Sequence, residues 1–357
     1  GCPPVSSKTI PHTLDSLTRP GDLVKELDDG KLLCTACGHL CKLRPGQRGV
    51  CKVRFNSEGT LMVPFSYSAG LQNDPIEKKP FFHALPGSRA MSFGMLGCDF
   101  RCAYCQNWFT SQSLKNEDST VRAIPITAGE ICDQALQHGS KVVVSTYNEP
   151  LITSEWAVEV FQEAKVKGLG TAYVSNGHGT PEVLEYLRPW VDLFKIDLKS
   201  FSEKEYRRLG GSLSAVLETI QTVYDMGIWL ELVTLLIPDY NDSDNEMAEI
   251  AEFIAGVSST IPWHVTAYHP DYKMQDRERT PGDTLLRATR HGKKAGLQFV
   301  YAGNLPGQVK NTENTYCPHC RELLVERMGF RVLSVHLKGD CCPSCNVAIP
   351  GRWVNWC

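Results

Sequence analysis

Three cysteines in the first third of the chain have a spacing that suits iron-sulfur chemistry. Cys98, Cys102 and Cys105 form a C-x3-C-x2-C triplet within residues 97–108. Three thiolates on one loop can each bind one iron of a 4Fe-4S cubane, which leaves the fourth iron without a protein ligand. A three-ligand zinc site is the alternative, but zinc knuckles usually consist of two cysteine pairs, and no fourth Cys or His lies near this triplet. The spacing therefore favours a cluster that is open to an external ligand.

A second set of cysteines lies nearer the start of the chain. It comprises Cys34, Cys37, Cys41 and Cys51, and four thiolates suffice for tetrahedral zinc or for an auxiliary 4Fe-4S cluster. The spacing does not choose between these two groups. Because four protein ligands close either site, we expect a structural role, with a redox role as the alternative.

The tail carries two C-P-x-C knuckles, in which the cysteines are Cys317, Cys320, Cys342 and Cys345. This arrangement is typical of a zinc ribbon or a rubredoxin-like fold, and the same four thiolates accept zinc or iron. We expect a structural zinc, and an electron-passing iron is the alternative. Some zinc ribbons bind nucleic acid, but acidic residues offset the basic residues of this tail, and no aromatic-basic stripe indicates such a partner. RNA contact stays an open alternative.

Composition narrows the classes of protein to consider. With 357 residues, 42% of them hydrophobic, and a formal net charge of -3, the chain can bury a full core and has no overall charge that favours nucleic acid or membrane. It has no apolar run long enough to span a bilayer and no apolar leader, which predicts a cytoplasmic location. Its fifteen cysteines therefore indicate metal ligands rather than disulfides.

The elements that position these cysteines alternate between apolar runs and helical patterns. This alternation predicts βα units and a parallel sheet. About six such units over roughly 215 residues are too few for a closed eight-fold barrel and favour an open (βα)6 barrel, with chemistry at the carboxyl ends of its strands. The predicted strands are residues 91–96, 142–145, 171–174, 193–196, 230–237, 264–268 and 299–301.

Three domains follow from this division of the α/β chain. We predict a Cys-rich metal-binding lobe in residues 1–62, a TIM-like partial barrel in residues 63–304, and a zinc-ribbon or rubredoxin-like domain in residues 305–357. The tail is too small to fold without help from a metal.

The triplet, with Tyr104 just before its last cysteine, resembles the signature loop of radical S-adenosylmethionine (SAM) enzymes. The resemblance implies that the amino and carboxylate groups of SAM bind the open iron. It also implies that an electron from the cluster breaks a carbon-sulfur bond, which normally yields methionine and a 5′-deoxyadenosyl radical. Tyr104 would lie near the adenine.

Further segments resemble the SAM-binding motifs of that superfamily. Glu149, within residues 146–150, matches the acidic residue that accepts a hydrogen bond from the SAM amino group, and Ser175 and Asn176 match positions near the ribose. Without the resemblance, Asn-Glu-Pro also suits a turn and a helix start, and Asn-Gly also suits a turn.

Two later segments add three candidate SAM contacts. Alternation along a strand places Asp197 and Lys199 on one face, and glycyl-radical-activating enzymes carry a similar Asp-x-Lys that contacts SAM. A structural ion pair is the alternative. His269 resembles a histidine near SAM late in the barrel, although a single histidine is more often structural.

The whole pattern resembles one branch of the superfamily. The N-terminal cysteines, Phe82-His83, residues 268–274 and residues 301–304 are similar to the AmmeMemoRadiSam-system radical SAM enzymes, relatives of the pyruvate formate-lyase activating enzyme. This implies an oxidoreductase or lyase-type enzyme, an electron donor such as flavodoxin or ferredoxin, and AMMECR-type and Memo-type proteins as partners. It identifies neither the substrate nor the scissile bond.

Two other functions remain as alternatives. The first is an activating enzyme that installs a glycyl radical on a partner protein. It is second choice because such enzymes usually place extra cysteines after the triplet, whereas this chain places them before it. The other is a metal-binding module that contacts RNA or transfers electrons without consuming SAM.

Overall fold

The computed structural model describes residues 14–112, 114 and 122–354. The first thirteen residues of the predicted N-terminal lobe and the last three of the predicted tail domain lie outside the described residues. Seven short strands come first: β1 (Thr18–Pro20), β2 (Val24–Glu26), β3 (Leu32–Cys34), β4 (Lys42–Leu43), β5 (Phe55–Ser57), β6 (Thr60–Pro64) and β7 (Tyr67–Ser68). They form two antiparallel sheets with orders β1-β6-β5 and β2-β3-β4, and β7 pairs elsewhere.

The central sheet is parallel except at one edge. The strand at residues 70–75 forms one edge and is antiparallel to its neighbour, and seven parallel strands follow it across the sheet. Among the described residues, the two edge strands do not pair with each other. The sheet is therefore open, and six βα units lead to a seventh parallel strand, which confirms the predicted fold class. In this region the strands are β8 (Gly70–Pro75), β9 (Arg89–Gly94), β10 (Ile124–Pro125), β11 (Ser140–Ser145), β12 (Gly170–Ser175), β13 (Leu193–Asp197), β14 (Trp229–Leu236), β15 (Trp263–Ala267) and β16 (Val300–Gly303). β10 pairs only with β7.

Local signals in the sequence explain where the helices begin and end. Thr127 and Glu130 form a capping box at the start of one helix, and Gly210 ends another in the left-handed conformation. The helices whose bounds lie within the described residues are α1 (Trp108–Ser111), α2 (Ala128–Gln137), α3 (Ser154–Val166), α4 (Pro181–Leu187), α5 (Glu203–Leu209), α6 (Leu213–Asp225), α7 (Asp244–Val257) and α8 (Gly282–Lys294). Within the described ranges, none is both long and apolar enough to cross a bilayer.

Both faces of the central sheet are buried. Val143 of β11 packs in a large cluster with residues of the surrounding helices, whereas Val142 and Val144 belong to a second cluster with Ala172 and Leu193. Such two-sided burial explains the unbroken apolar runs that predicted these strands. Since the second cluster fills one end of the barrel interior, space for a ligand is left at the carboxyl ends of the strands.

The tail forms a small sheet that packs against the barrel. It contains β17 (Thr315–Tyr316), β18 (Leu323–Met328) and β19 (Arg331–Val335), in the order β17-β18-β19. His83 bonds to the Tyr301 hydroxyl at 2.6 Å and to the Pro350 carbonyl at 2.7 Å. The Phe82-His83 motif therefore belongs to the joint between barrel and tail. The domain boundaries at 62 and 304 stay a prediction.

Candidate active site at the open end of the barrel

The cysteine triplet lies on the loop that follows β9, at the carboxyl end of the first parallel strand. Cys98 and Cys102 are buried and Cys105 is half-buried. The Phe100 N–H donates to Cys98 Sγ at 3.4 Å, and the Ser111 hydroxyl lies 3.1 Å from Cys105 Sγ. Burial raises the pKa of the Cys102 thiol to about 11, so a metal is needed to hold it as a thiolate at neutral pH. Two buried thiols and one half-buried thiol on a single loop are a donor set that fits an iron-sulfur cluster.

A cavity of about 460 Å³ opens beside this loop, within the size range of small-molecule sites. Three of the predicted SAM contacts line it together with Cys102 and Cys105: Tyr104, Asp197 and Lys199. Lys199 Nζ lies 5.8 Å from the centre of the Tyr104 ring. Burial would raise the pKa of Asp197, but the nearby Lys195 and Lys199 lower it. The cavity therefore joins two cysteines to an ionised carboxylate and an aromatic ring.

Three lysines that the sequence interpretation missed also line this cavity: Lys78, Lys79 and Lys195. Lys195 is buried in β13, and its Nζ lies 2.9 Å from Asp197 Oδ1. Lys79 is buried as well, with its Nζ 3.6 Å from Asp74 Oδ2, and burial lowers the pKa of Lys79 to about 8. A lysine inside a strand that is otherwise apolar is a signal that could have identified Lys195.

The predicted contacts at or after the carboxyl ends of β11 and β12 lie outside the residues that line the cavity. The Glu149 carboxylate accepts hydrogen bonds from the Asn176 N–H at 2.6 Å, the Ser175 hydroxyl at 2.8 Å and the Leu151 N–H at 3.0 Å. Burial and the neighbouring Asp99 raise the pKa of Glu149 to about 8. The structure therefore brings Glu149, Ser175 and Asn176 together in one hydrogen-bonded group.

Asp99 connects this group to the cysteine loop, and the sequence interpretation gave it no role. Its carboxylate accepts hydrogen bonds from Asn176 Nδ2 at 2.8 Å and His178 Nδ1 at 2.9 Å. Burial would raise the pKa of Asp99, but these two hydrogen bonds and the His178 charge lower it. Asp99 follows Cys98 directly, so its ionised carboxylate fixes the loop against β12. An aspartate between two cysteines of the triplet is the signal in the sequence that could have identified Asp99.

His269 lies at the rim, away from the other candidates. It lines an outer groove of about 850 Å³, which shares Glu77, Gln106, Asn304 and Phe330 with the inner cavity. Gln106 Nε2 lies 3.4 Å from His269 Nδ1. Phe330 belongs to the turn between β18 and β19, so the tail contributes to the mouth of the barrel cavity.

The two flanking cysteine sets are arranged differently. In the tail, the Sγ atoms of Cys317, Cys320, Cys342 and Cys345 all lie within 4.8 Å of one another. Two of the distances between these sulfurs are 3.6 Å and 3.5 Å, a geometry that fits a single tetrahedral ion. The four N-terminal cysteines instead line one small enclosed cavity.

An open parallel barrel with three cysteines on its first loop and a polar cavity beside them defines a class of iron-sulfur barrel enzymes. The model of the Radical SAM superfamily matches residues 94–254. The chain belongs to the radical SAM superfamily, and membership implies a 4Fe-4S cluster and SAM as cofactors.

Full-length similarity extends beyond the barrel. The chain is 34% identical over 329 residues to uncharacterized protein MJ0808 of Methanocaldococcus jannaschii, covering 91% of this chain and 97% of that protein. It is 26% identical over 207 residues to the pyruvate formate-lyase-activating enzyme of Streptococcus mutans, covering 54% and 76% respectively. A solved radical SAM methyltransferase from Sphaerobacter thermophilus is 14% identical with a TM-score of 0.48, covering 88% and 85%. The chain is thus related to activating enzymes.

Proposed function

We propose that this enzyme holds a 4Fe-4S cluster with Cys98, Cys102 and Cys105 and uses it to cleave SAM reductively. The observation that carries the proposal is the position of Cys102 and Cys105 on a cavity that is also lined by Tyr104, Asp197 and Lys199. When bound, the cluster and SAM supply an electron and a carbon-sulfur bond whose cleavage gives an organic radical. The radical would then modify a substrate that is still to be identified, as in an oxidoreductase or lyase.

Each cavity residue has a role that its environment supports. Tyr104 offers a buried aromatic surface for the adenine. Asp197 is held ionised by two lysines, so it can accept hydrogen bonds from polar groups of SAM. Lys199 adds a half-buried ammonium group beside the cysteine loop, where it can attract a carboxylate.

The remaining SAM contacts are proposed from the same resemblance. A carboxylate offers about four lone-pair sites, so Glu149 can accept a hydrogen bond from the SAM amino group in addition to the three groups that already donate to it. Ser175 and Asn176 would contact the ribose. His269, at the rim, would reach SAM only from the mouth of the cavity.

Anaerobic reconstitution followed by reduction with dithionite tests this function. Mass spectrometry of the products should show SAM consumption, and it would distinguish 5′-deoxyadenosine from methylthioadenosine. Cys102→Ala should abolish cleavage because one iron loses its ligand. Cys132→Ala is the matched control, since Cys132 is a buried thiol of α2 outside all three cysteine sets. Intact SAM with the wild-type protein, or full cleavage by Cys102→Ala, would contradict the proposal.

Within the superfamily, we propose that the chain is an AmmeMemoRadiSam-system enzyme. The motifs that suggest this branch lie at the joint and mouth of the barrel, since His83 and Tyr301 bond to each other and Asn304 lines the cavity. AMMECR-type and Memo-type proteins and a flavodoxin or ferredoxin would be its partners, and a cytoplasmic location stays a prediction from sequence.

Activation of a glycyl-radical protein is the second candidate function, favoured by the 26% identity to the Streptococcus mutans activating enzyme. Incubation of the reduced enzyme and SAM with the pyruvate formate-lyase of that organism, followed by electron paramagnetic resonance, tests it. A stable glycyl radical would support this candidate, and its absence alongside normal SAM cleavage would count against that particular protein as substrate.

We also propose metals for the flanking sites. The close approach of the four tail sulfurs favours one structural zinc, with iron as the alternative. Zinc or a second iron-sulfur cluster suits the N-terminal cysteines.

A further inference from the structure

The N-terminal cysteines surround a space rather than meet at one point. Cys34, Cys37, Cys41 and Cys51 line the same enclosed cavity. Cys37 Sγ has as its close neighbours a carboxylate oxygen of Asp99 and a ring nitrogen of His178, all within 4.8 Å of one another. In a 4Fe-4S cluster each cysteine binds a different iron, so its four sulfurs stand farther apart than the ligands of a single ion. The arrangement suits a cubane better than zinc.

A buried arginine donates a hydrogen bond to this site. Arg54 and Glu155 have side chains that are each 1% exposed, and Arg54 Nε donates to Cys34 Sγ at 3.2 Å. Two hydrogen bonds of 2.7 Å and 2.8 Å to Glu155 hold the guanidinium in place. Hydrogen bonds to cluster sulfurs are among the groups that set reduction potentials. The site is therefore built to stabilise extra negative charge on its sulfurs.

The N-terminal site lies directly against the catalytic loop. A Cβ atom at Gly97 would come within 3.1 Å of the Cys51 carbonyl oxygen, so only glycine permits this approach. Asp99 lies between the two cysteine sets, because its Oδ1 is 3.9 Å from Cys98 Sγ and its carboxylate is within 4.8 Å of Cys37 Sγ. One residue separates the two sets, and electrons can tunnel over so short a path.

The outer side of the site carries basic and apolar residues. Residues 39–52 contain four Lys or Arg and no Asp or Glu. Leu40 and Val50 are 43% and 46% exposed and adjoin the cysteines Cys41 and Cys51. A Cβ atom at Gly49 would lie 3.7 Å from both of these sulfurs, so the two segments meet at the site. The donor patch is Leu40, Lys42, Arg44, Val50 and Lys52, all exposed.

We propose that the four N-terminal cysteines hold a redox-active 4Fe-4S cluster that receives electrons from an acidic flavodoxin-type or ferredoxin-type protein docked on the donor patch. Exposed apolar and positively charged side chains in one short segment are complementary to an acidic redox protein. In the first transfer one electron passes from the donor to the N-terminal cluster, which oxidises the donor and reduces that cluster. In the second transfer the electron passes to the cluster at the triplet, which reoxidises the N-terminal cluster and reduces the cluster at the triplet. No bond is made or broken and no proton is required. Only the last transfer, to the cluster at the triplet, rests on the proposed function.

Metal analysis of the full chain tests the site itself. A variant with Cys98, Cys102 and Cys105 all changed to Ala should, after anaerobic reconstitution, retain about four irons and four sulfides per chain. Reduced flavodoxin should reduce this remaining cluster, as seen by electron paramagnetic resonance. Retention of zinc without sulfide, or of no sulfide at all, would overturn the assignment. A single tail iron cannot imitate the result, because it carries no sulfide.

Charge reversal tests the donor patch. With Lys42→Glu combined with Arg44→Glu, the ratio of flavodoxin-driven to dithionite-driven SAM cleavage should fall by about tenfold or more at low ionic strength. The matched control combines Lys204→Glu with Lys293→Glu, two exposed lysines elsewhere on the chain, and should keep the wild-type ratio. An unchanged ratio in the patch variant, or an equal fall in the control, would overturn the docking site.

Failure of the proposed function would look different. In that case dithionite would not drive SAM cleavage by the wild-type enzyme, while flavodoxin would still reduce the cluster of the triple variant. Conversely, normal dithionite-driven cleavage together with a triple variant that lacks sulfide would refute the relay alone.

Discussion

The N-terminal lobe and the tail each carry four cysteines, yet they are attached to the barrel in different ways. The lobe is joined by a buried ion pair, in which Arg54 binds both Cys34 and Glu155 of α3. The tail is joined by aromatic packing and hydrogen bonds around Phe82, His83 and Tyr301, and the buried Arg327 guanidinium donates one of these bonds to the Phe82 carbonyl oxygen. Sites with equal numbers of thiols therefore differ in what surrounds them, and our proposal of a redox role for one and a structural role for the other rests on those surroundings rather than on the ligand count.

Loss of the tail metal should have the largest effect. Cys320→Ser breaks the four-sulfur group, and structural zinc supplies roughly 10 kcal/mol or more to small domains. We expect about one equivalent of metal to be lost and the segment after residue 305 to become sensitive to protease, while dithionite-driven SAM cleavage continues. Metal analysis and limited proteolysis measure both changes. A tail that stays resistant to protease without metal would show that its packing against the barrel suffices.

The lobe should respond to loss of its ion pair. Arg54→Ala leaves Glu155 charged and buried without its positively charged partner, so the free energy of unfolding should fall by about 3–5 kcal/mol in urea titrations. Arg48→Ala removes a partly exposed pair with Asp15 and should cost about 1 kcal/mol or less.

A double variant sharpens this comparison. Combining Arg54→Met with Glu155→Met replaces both charges by apolar groups and should regain most of the loss. No recovery would mean that Arg54 acts mainly through Cys34 rather than through Glu155.

Buried glutamates at the two joints should produce opposite pH dependence. Arg54 lowers the pKa of Glu155 although Glu155 is buried. The ion pair therefore stabilises the fold at pH values above the pKa that Glu155 has in the unfolded chain, and this stabilisation is lost as acid protonates the Glu155 carboxylate. At the other joint, burial raises the pKa of Glu77 to about 8, against the opposing charge of Arg327. Between the ordinary pKa of a glutamate and pH 8, the folded chain therefore holds a proton on Glu77 that the unfolded chain has released. The free energy of unfolding falls as pH rises through this window.

Glu77→Gln should remove that fall. Between about pH 5 and pH 8, the free energy of unfolding of the wild type should fall by on the order of 3 kcal/mol more than that of the Glu77→Gln variant. Glu185→Gln, at an exposed position of α4, serves as the control and should keep the wild-type slope. Identical slopes for wild type and Glu77→Gln would show that Glu77 is ionised throughout this range.

Much of this organisation follows from local sequence. Apolar runs such as residues 142–145 form buried parallel strands because both faces of the sheet are covered. The triplet follows β9 on a single loop, so its spacing alone indicates three ligands. The C-P-x-C knuckles likewise predict a four-sulfur group that the structure brings together. Each of these patterns lies within a few residues of the chain, although the two knuckles that share the four-sulfur group are 22 residues apart.

Tertiary structure alone decided which charges meet. Arg54 finds Glu155 over a separation of 101 residues, Asp99 finds His178 over 79 residues, and Lys79 enters the cavity from a segment that carries no motif. It also placed Glu149 in a hydrogen-bonded group and His269 at the rim. No local pattern encodes such pairings, because burial and electrostatics act on distance in space, which chain folding sets independently of distance in sequence.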